Sequence, residues 1–294
     1  MFSQVFLDKK DYRKLQILKK IQKGPINGLE IKDLLIDYQC SRKTLHKDLK
    51  ELNQDLIYVY GEFILEETLV GTIKVKNIAY FSKQKIILYY TKNSLKFRVF
   101  NEIIKQKKTT IKILSEKNYS SQSRIYESLK QFNNSFKSVN LSFSASGIKG
   151  SERKIRHLIF EIYWSLFGGN EWPFSINKSD IESKILQLEH ADLILDGIGR
   201  ERLAYWLAVT ELRLNNTREM KNDGIKHKKI KLNQIVRSVL NNDEEFELDS
   251  EMKEEIDSFH DVLHYFFGYF INFEIEKKKK NQFRLDTFRR IVTL

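Results

Sequence analysis

Residues 31–53 read IKDLLIDYQCSRKTLHKDLKELN, and residues 111–133 read IKILSEKNYSSQSRIYESLKQFN. The two stretches align without a gap at an offset of 80 positions. The identical pairs are Ile31/Ile111, Lys32/Lys112, Leu34/Leu114, Ser41/Ser121, Leu49/Leu129, Lys50/Lys130 and Asn53/Asn133. Apolar character is kept at Leu45/Ile125, Leu52/Phe132 and Leu56/Phe136. The chain therefore contains a duplicated unit, whose period is too long for a solenoid repeat.

Each copy has the same predicted layout of three helices. In the first copy, helical patterns cover 11–21, 29–38 and a stretch from Ser41 to about residue 53, with a break at Gly24-Pro25. In the second copy they cover 94–105, 110–117 and a stretch that begins at Ser120 or Ser121. Serine is a favourable N-cap, so it marks the start of each third helix. Two short helices joined by a tight turn, after a leading helix, predict a helix-turn-helix.

A stretch of β-prone sequence with glycine follows each third helix. It covers 57–75 in the first copy and 139–150 in the second. Both stretches predict a β-hairpin. Each unit is therefore expected to be a winged helix-turn-helix.

The third helix of the first copy is predicted to carry one apolar and one basic face. With a rotation of about 100° per residue, Leu45, Leu49, Leu52 and Leu56 share one side of the helix. The adjoining side carries five residues: Arg42, Lys43, His46, Lys47 and Lys50. A recognition helix in the major groove needs cations and donors on its outer face. We therefore predict that these five residues contact DNA, the alternative being a solvated amphipathic helix.

The third helix of the second copy presents a more neutral set of side chains. The equivalent positions are Gln122, Ser123, Tyr126, Glu127 and Lys130. Gln122 and Ser123 could read bases, Tyr126 and Lys130 lie beside them, and Arg124 could reach a phosphate. The alternative is a degenerate copy retained for packing. Cys40, in the first turn, is expected to be a small apolar filler.

The positive charge lies in the first half of the chain. Of 294 residues, 51 are Lys or Arg and 39 are Asp or Glu, and residues 1–150 have a net charge of +14 whereas residues 151–294 have −2. A basic half beside a near-neutral half favours a polyanion-binding module joined to a second function. The alternative is a solvated lysine-rich surface. One cysteine and the absence of an apolar leader lead us to expect a cytoplasmic protein without a membrane segment.

Residues 151–294 show helical periodicity throughout. The candidate helices cover 154–167, 181–188, 202–214, 234–240, 251–273 and 283–292. The fold class is thus expected to be mainly α, with two tandem winged helix-turn-helix domains followed by an all-helical bundle. The expected domains are 1–80, 81–151 and 152–294.

The second half contains no nucleotide-binding loop, no HExxH and no CxxC, so neither an enzyme nor a cofactor is predicted. His260 and His264 are four residues apart, as metal ligands on one helix face can be, but no third ligand is evident. The run of lysines at 277–280 is expected to be a solvated loop.

The stretch SASGIKGSERKIRHLIFEIYWSLFGGNEWPF, residues 144–174, resembles the sequence that follows the helix-turn-helix in Mga-like transcriptional regulators of Gram-positive bacteria. The matching features are Ile148, Gly150, Glu152, Arg156 and the run Trp172-Pro173-Phe174. The Ser-capped helix with Ile125 and Leu129 also fits. The resemblance extends from about residue 11 to the end of the chain.

This resemblance implies two winged helix-turn-helix domains and a regulatory domain controlled by the sugar phosphotransferase system. Regulatory histidine phosphorylation would then fall on His190 and on His260 or His264, with the phosphocarrier protein HPr or another component of that system as the partner. A homodimer that binds double-stranded DNA is expected. Family members are about twice as long and carry a second regulatory domain and a C-terminal EIIB-like domain.

Two rival functions remain open at this point. One is an RNA-binding antiterminator with the same class of regulatory domain. Such proteins carry a small all-β module at the N-terminus, whereas residues 11–56 here are predicted to be helical. The other rival is a protein-interaction module that does not bind DNA, against which the basic face of the first copy argues.

Overall fold

The structure is a computed structural model that describes residues 2–25, 28–61, 65–67, 71–75, 82–105, 109–190, 195–220, 253, 255–257 and 259. These residues are mostly helical, which confirms the predicted mainly α class. The chain divides into two compact units, Met1–Arg98 and Val99–Leu294. The finer division into domains 1–80, 81–151 and 152–294 stays a prediction.

The first unit combines helices with a small sheet. Its helices are α1 (Ser3–Phe6), α2 (Lys9–Lys23), α3 (Ile31–Tyr38), α4 (Arg42–Tyr60) and α5 (Lys83–Asn93), and α6 (Leu95–Lys105) begins in it. Its strands are β1 (Leu29–Glu30), β2 (Leu65–Glu67) and β3 (Thr72–Val75). The strand order is β1-β3-β2, and both pairings are antiparallel. Ile73 is buried at the centre of this sheet, where β3 packs against α2.

Helix α4 continues further than the sequence pattern indicated. The first wing was expected over 57–75, but residues 57–60 form the last turn of α4. The buried row of α4 continues through Leu52 to Leu56, so packing overrides the β propensity of the residues that follow. Gly61 then ends the helix, because it adopts a left-handed conformation with a φ of 81° and donates its N–H to the Ile57 carbonyl at 2.7 Å.

The second unit repeats the helix-turn-helix and then continues into longer helices. After α6 come α7 (Ile111–Lys117), α8 (Gln122–Ser135), α9 (Glu152–Phe167), α10 (Lys178–Glu189) and α11 (Gly197–Met220). Strands β4 (Ser142–Ser144) and β5 (Gly147–Lys149) form the hairpin predicted within 139–150, with Phe143 opposite Ile148. A short 3₁₀ turn, Lys137–Val139, connects α8 to this wing.

The two helix-turn-helix motifs are alike in their backbone as well as in sequence. The turn between α3 and α4 passes through Gln39 with a φ of 45°, and the turn between α7 and α8 passes through Tyr119 with a φ of 49°. These residues are 80 positions apart, as the alignment requires. A positive φ is uncommon outside glycine. Its recurrence at the same position therefore supports the duplication independently of side-chain identity.

Helices α9, α10 and α11 follow the second wing in the chain, and α11 packs against both α9 and α10. The predicted helices 154–167, 181–188 and 202–214 lie within them. Large aromatic side chains fill the interior, and Phe160 meets Trp206 edge-to-face with 5.6 Å between ring centroids. The candidate helices 234–240 and 283–292 lie outside the described residues, as does most of 251–273, of which residues 253, 255–257 and 259 are helical.

Candidate nucleic-acid interface

Helix α4 is positioned by a cap and a buried apolar row. The Ser41 hydroxyl accepts a hydrogen bond from the Thr44 N–H at 3.1 Å and fixes the first turn. The apolar side chains predicted to face the core are all buried: Leu45, Leu49, Leu52 and Leu56. Of the predicted DNA contacts, Arg42, Lys43, Lys47 and Lys50 are exposed, and His46 is half-buried.

The acidic residues of α4 lie on the side of the helix that adjoins this basic face, towards α2. Each of the three pairs with a cation of α2: Asp48 with Arg13 at 2.6 Å, Glu51 with Lys10 at 2.5 Å, and Asp55 with Lys14 at 2.9 Å. Asp48 is only 1% exposed, so its charge is neutralised inside the protein. The pKa of Glu51 lies below its usual range because Lys10 donates a hydrogen bond to it.

The exposed cations of α4 are consequently left for an outside partner. In the described part of the chain, Arg42, Lys43, Lys47 and Lys50 form no ion pair. The sequence pattern predicts the basic face but not the role of Lys10, Arg13 and Lys14 on α2. The sequence contains a signal for this pairing, because the acids of α4 lie on a different side of the helix from its lysines.

Lys14 ties α4 to two further elements. It is only 4% exposed and also pairs with Asp11 at 2.8 Å. Its Nζ lies 4.5 Å from the centre of the Tyr90 ring on α5, and the Tyr90 hydroxyl donates to Asp55 at 2.6 Å. Burial, together with the Asp55 carboxylate, raises the pKa of Tyr90. Helix α5, which the sequence analysis did not predict, thus holds the C-terminal part of α4.

Helix α8 is built in the same way, with a different outer surface. The Ser121 hydroxyl accepts from the Arg124 N–H at 3.4 Å, and Ile125, Leu129 and Phe132 are buried. The predicted contact residues of this helix are all exposed: Gln122, Ser123, Arg124, Tyr126 and Lys130. Glu127, which was not predicted as a contact, is exposed beside them. Tyr126 is 60% exposed, a high value for a large aromatic side chain. Packing therefore leaves the whole of this surface available for contact.

An asparagine shared by the two copies joins each recognition helix to its wing. Asn133 accepts a hydrogen bond from the Phe143 N–H at 2.7 Å and donates to the Phe143 carbonyl at 2.9 Å. Asn53 accepts from the Leu65 N–H at 3.3 Å. Asn53 and Asn133 are an identical pair in the aligned copies, but their role is not evident from the sequence. The structure shows that they fix the first strand of each wing against the helix.

The predicted phosphorylation sites are only partly described. His190 caps the C-terminus of α10, where its N–H donates to the Leu186 carbonyl at 2.9 Å, and its side chain is exposed. The preceding Glu189 accepts two hydrogen bonds from Arg200 at 2.7 and 2.5 Å. His260 and His264 lie outside the described residues.

The second unit also has an open cleft of about 390 Å³ beside α10 and α11. Trp172 and Tyr205 form one wall, and their rings meet edge-to-face at 5.3 Å. Its cations are engaged, because Arg200 pairs with Glu189 and Lys178 lies 3.9 Å from Glu182. The cleft is therefore not a ready site for an anion.

Within the described residues there is no cluster of side chains that could hold a metal ion. Among the same residues, no helix is both long and apolar enough to cross a membrane.

Comparison with known proteins agrees with this geometry. Residues 79–163, which include α5 to α8 and the second wing, match the family model described as the Mga helix-turn-helix domain. The capsule synthesis positive regulator AcpB of Bacillus anthracis is 22% identical over 214 residues, which make up 69% of this chain and 42% of that protein. A protein named as a trans-acting regulator of Streptococcus pneumoniae serotype 4 is 23% identical over 212 residues, 70% of this chain and 41% of that protein.

The chain is thus Mga-like, with residues 79–163 matching an Mga helix-turn-helix domain, which confirms the resemblance to Mga-like regulators. The regulatory domain that the resemblance implied for the second half stays a prediction. It spans about two fifths of the length of these two relatives. Both are named as regulators, and the matched segment contains the second of the two helix-turn-helix motifs.

Proposed function

We propose that this protein is a transcriptional regulator that binds double-stranded DNA through α4 and α8. The observation that carries the proposal is the separation of charge on α4. Its three acids are neutralised by α2, while Arg42, Lys43, Lys47 and Lys50 remain exposed on the adjoining side. Such a face suits the phosphates and base edges of a major groove.

The second motif supports the same function. Helix α8 follows a tight turn and precedes a wing that Asn133 holds in place. Recognition helices contact base edges mainly with residues near their N-termini. Gln122, Ser123 and Tyr126 occupy that part of α8, and Arg124 is exposed beside them. The proposal contains no catalytic step.

The name of one relative supports a direction of regulation. AcpB is named a positive regulator, so activation is the outcome we propose for this chain. A regulator bound to the chromosome of a bacterium acts in the cytoplasm, and we propose that location. The chain spans only about two fifths of the length of its relatives, and these assignments are proposed from the segment that it shares with them.

A phosphorylation switch is the regulatory part of the proposal. His190 is exposed at the end of α10, where a phosphocarrier such as HPr could reach its imidazole. A phosphoryl group there would add about two negative charges next to the Glu189–Arg200 pair. Arg200 could then exchange a carboxylate for a phosphate. We propose that this exchange changes the association of two copies, with His260 and His264 as further acceptors.

The nucleic-acid class is tested by titrating the full chain into labelled duplex DNA, single-stranded RNA of the same length, and a labelled control protein. Fluorescence anisotropy gives the affinities. We expect duplex DNA to bind at least about tenfold more tightly than RNA. Tighter binding to RNA would favour the antiterminator function. Failure to bind either nucleic acid would leave a protein-interaction module and would overturn the proposal.

A further inference from the structure

The outer faces of the two recognition helices differ at one position in particular. Opposite the buried row, α4 presents Lys43, Lys47, Lys50 and Gln54, whereas α8 presents Ser123, Glu127, Lys130 and Asn134. The four pairs are related by the same offset of 80 residues, and all eight side chains are exposed. Glu127 thus stands where α4 carries Lys47, and the change reverses the sign of the charge.

Glu127 is not neutralised by its own helix. Lys130 lies three residues further on, but the two residues form no ion pair in the described part of the chain. Instead, the Gln131 amide donates to Glu127 Oε1 at 2.9 Å. This bond holds the carboxylate in place, and Oε2 accepts no hydrogen bond from the described residues. One oxygen is therefore available to an outside donor.

A carboxylate that faces DNA is repelled by phosphates and by acceptor atoms on the bases. In the major groove, guanine presents N7 and O6, and thymine presents O4, all of which are acceptors. Adenine offers an amino group, but its N7 acceptor lies next to it. Cytosine offers its N4 amino group beside a C–H, without an adjacent acceptor on the same base. A carboxylate that is held in place can therefore accept a hydrogen bond from cytosine with less repulsion than from any other base.

We propose that Glu127 is a specificity-determining residue of α8, which requires a cytosine in the DNA site by accepting a hydrogen bond from its N4 amino group. This inference rests on the proposed function, because it assumes that α8 enters the major groove. It assigns different tasks to the two helices. Helix α4 supplies affinity through its lysines, and α8 supplies discrimination, at some loss of attraction to the phosphates.

The test begins with selection of duplexes from a random pool by the full chain, repeated with Glu127→Gln and Glu127→Lys. Glu116→Gln is the matched control, because Glu116 is an exposed carboxylate on α7 rather than on α8. The wild type and the control should select a site with one dominant cytosine. Glu127→Gln should lose that preference by about tenfold or more and turn towards adenine, because a glutamine amide can pair with adenine N6 and N7.

Glu127→Lys introduces the residue that α4 carries at the equivalent position, Lys47, and provides a second measurement. It should bind random duplex DNA more tightly than the wild type, and its affinity should fall more steeply with salt. Circular dichroism would check that both variants fold, which we expect because Glu127 is exposed. If the wild type binds duplex DNA but Glu127→Gln selects the same cytosine, the inference is wrong and the proposed function stands. If the wild type binds no duplex DNA, both fail.

Discussion

Asn133 offers a direct test of how the second wing is held. We expect Asn133→Ala to lower the free energy of unfolding of the second unit by about 2–3 kcal/mol. The side chain makes both hydrogen bonds to the backbone of Phe143, which is nearly completely buried. Alanine would leave one N–H and one carbonyl of β4 without these partners. Each buried polar group that loses its partner costs about 1–3 kcal/mol, reduced here where water can enter.

The first copy supplies a graded comparison. Asn53 makes one hydrogen bond of 3.3 Å to the Leu65 N–H, so Asn53→Ala should cost only about 0.5–1 kcal/mol. The matched controls are Asn134→Ala and Gln54→Ala, which change exposed neighbours on the same helices and should stay within about 0.5 kcal/mol of the wild type.

Urea unfolding of the full chain measures these differences. All three tryptophans, Trp164, Trp172 and Trp206, lie in the second unit, so their fluorescence reports on the unit that contains Asn133. Circular dichroism follows both units and detects Asn53→Ala. Equal midpoints for Asn133→Ala and Asn134→Ala would refute the assigned role, because the two hydrogen bonds would then contribute nothing measurable.

Three further predictions concern the second unit. Burial lowers the pKa of His157 from 6.5 to about 3 in the folded chain, so the unfolded chain binds one more proton between these values and stability falls with falling pH. In urea unfolding, the free energy of unfolding of the wild type should fall by about 1.4 kcal/mol between about pH 7.5 and about pH 5.5, and that of His157→Phe should fall by less. Arg156→Met should lower the free energy of unfolding by about 3–5 kcal/mol, because Arg156 is 4% exposed and donates a hydrogen bond to Glu255 at 2.8 Å. The double variant Arg156→Met/Glu255→Met should recover part of that loss in the same unfolding assay. His190→Asp should change the dimer dissociation constant measured by analytical ultracentrifugation, whereas His190→Ala should not; equal constants for all three proteins would argue against the switch.

The sequence predicted the helix-turn-helix motifs well because two independent signals agreed there. The serine caps mark where α4 and α8 begin, and the apolar rows mark which sides are buried. Both signals depend on residues close together in the chain, which sequence patterns record directly. The exposed basic face of α4 followed from the same periodicity.

Features that depend on distant contacts were predicted less well. The end of α4 was placed too early because the β propensity of residues 57–60 was read locally, while the buried row of α4 continues to Leu56 and the helix ends only at Gly61. Strand β1 has two residues, too few to show alternation, and its pairing partner Ile73 lies over 40 residues away. The link between Asn133 and Phe143 joins a helix to a strand, which no periodicity reveals.

The salt dependence of duplex binding tests the central claim most directly. The measurement compares the wild type with Lys43→Ala/Lys47→Ala, and with Lys83→Ala/Lys85→Ala as a control that removes the same charge from exposed positions on α5. Each lost phosphate contact should flatten the plot of log affinity against log salt by about 0.9, so the α4 variant should lose about 1.8 in slope. The control should keep the slope of the wild type. Equal slopes for the α4 variant and the wild type would contradict the account, because the exposed lysines of α4 would then not face the phosphates.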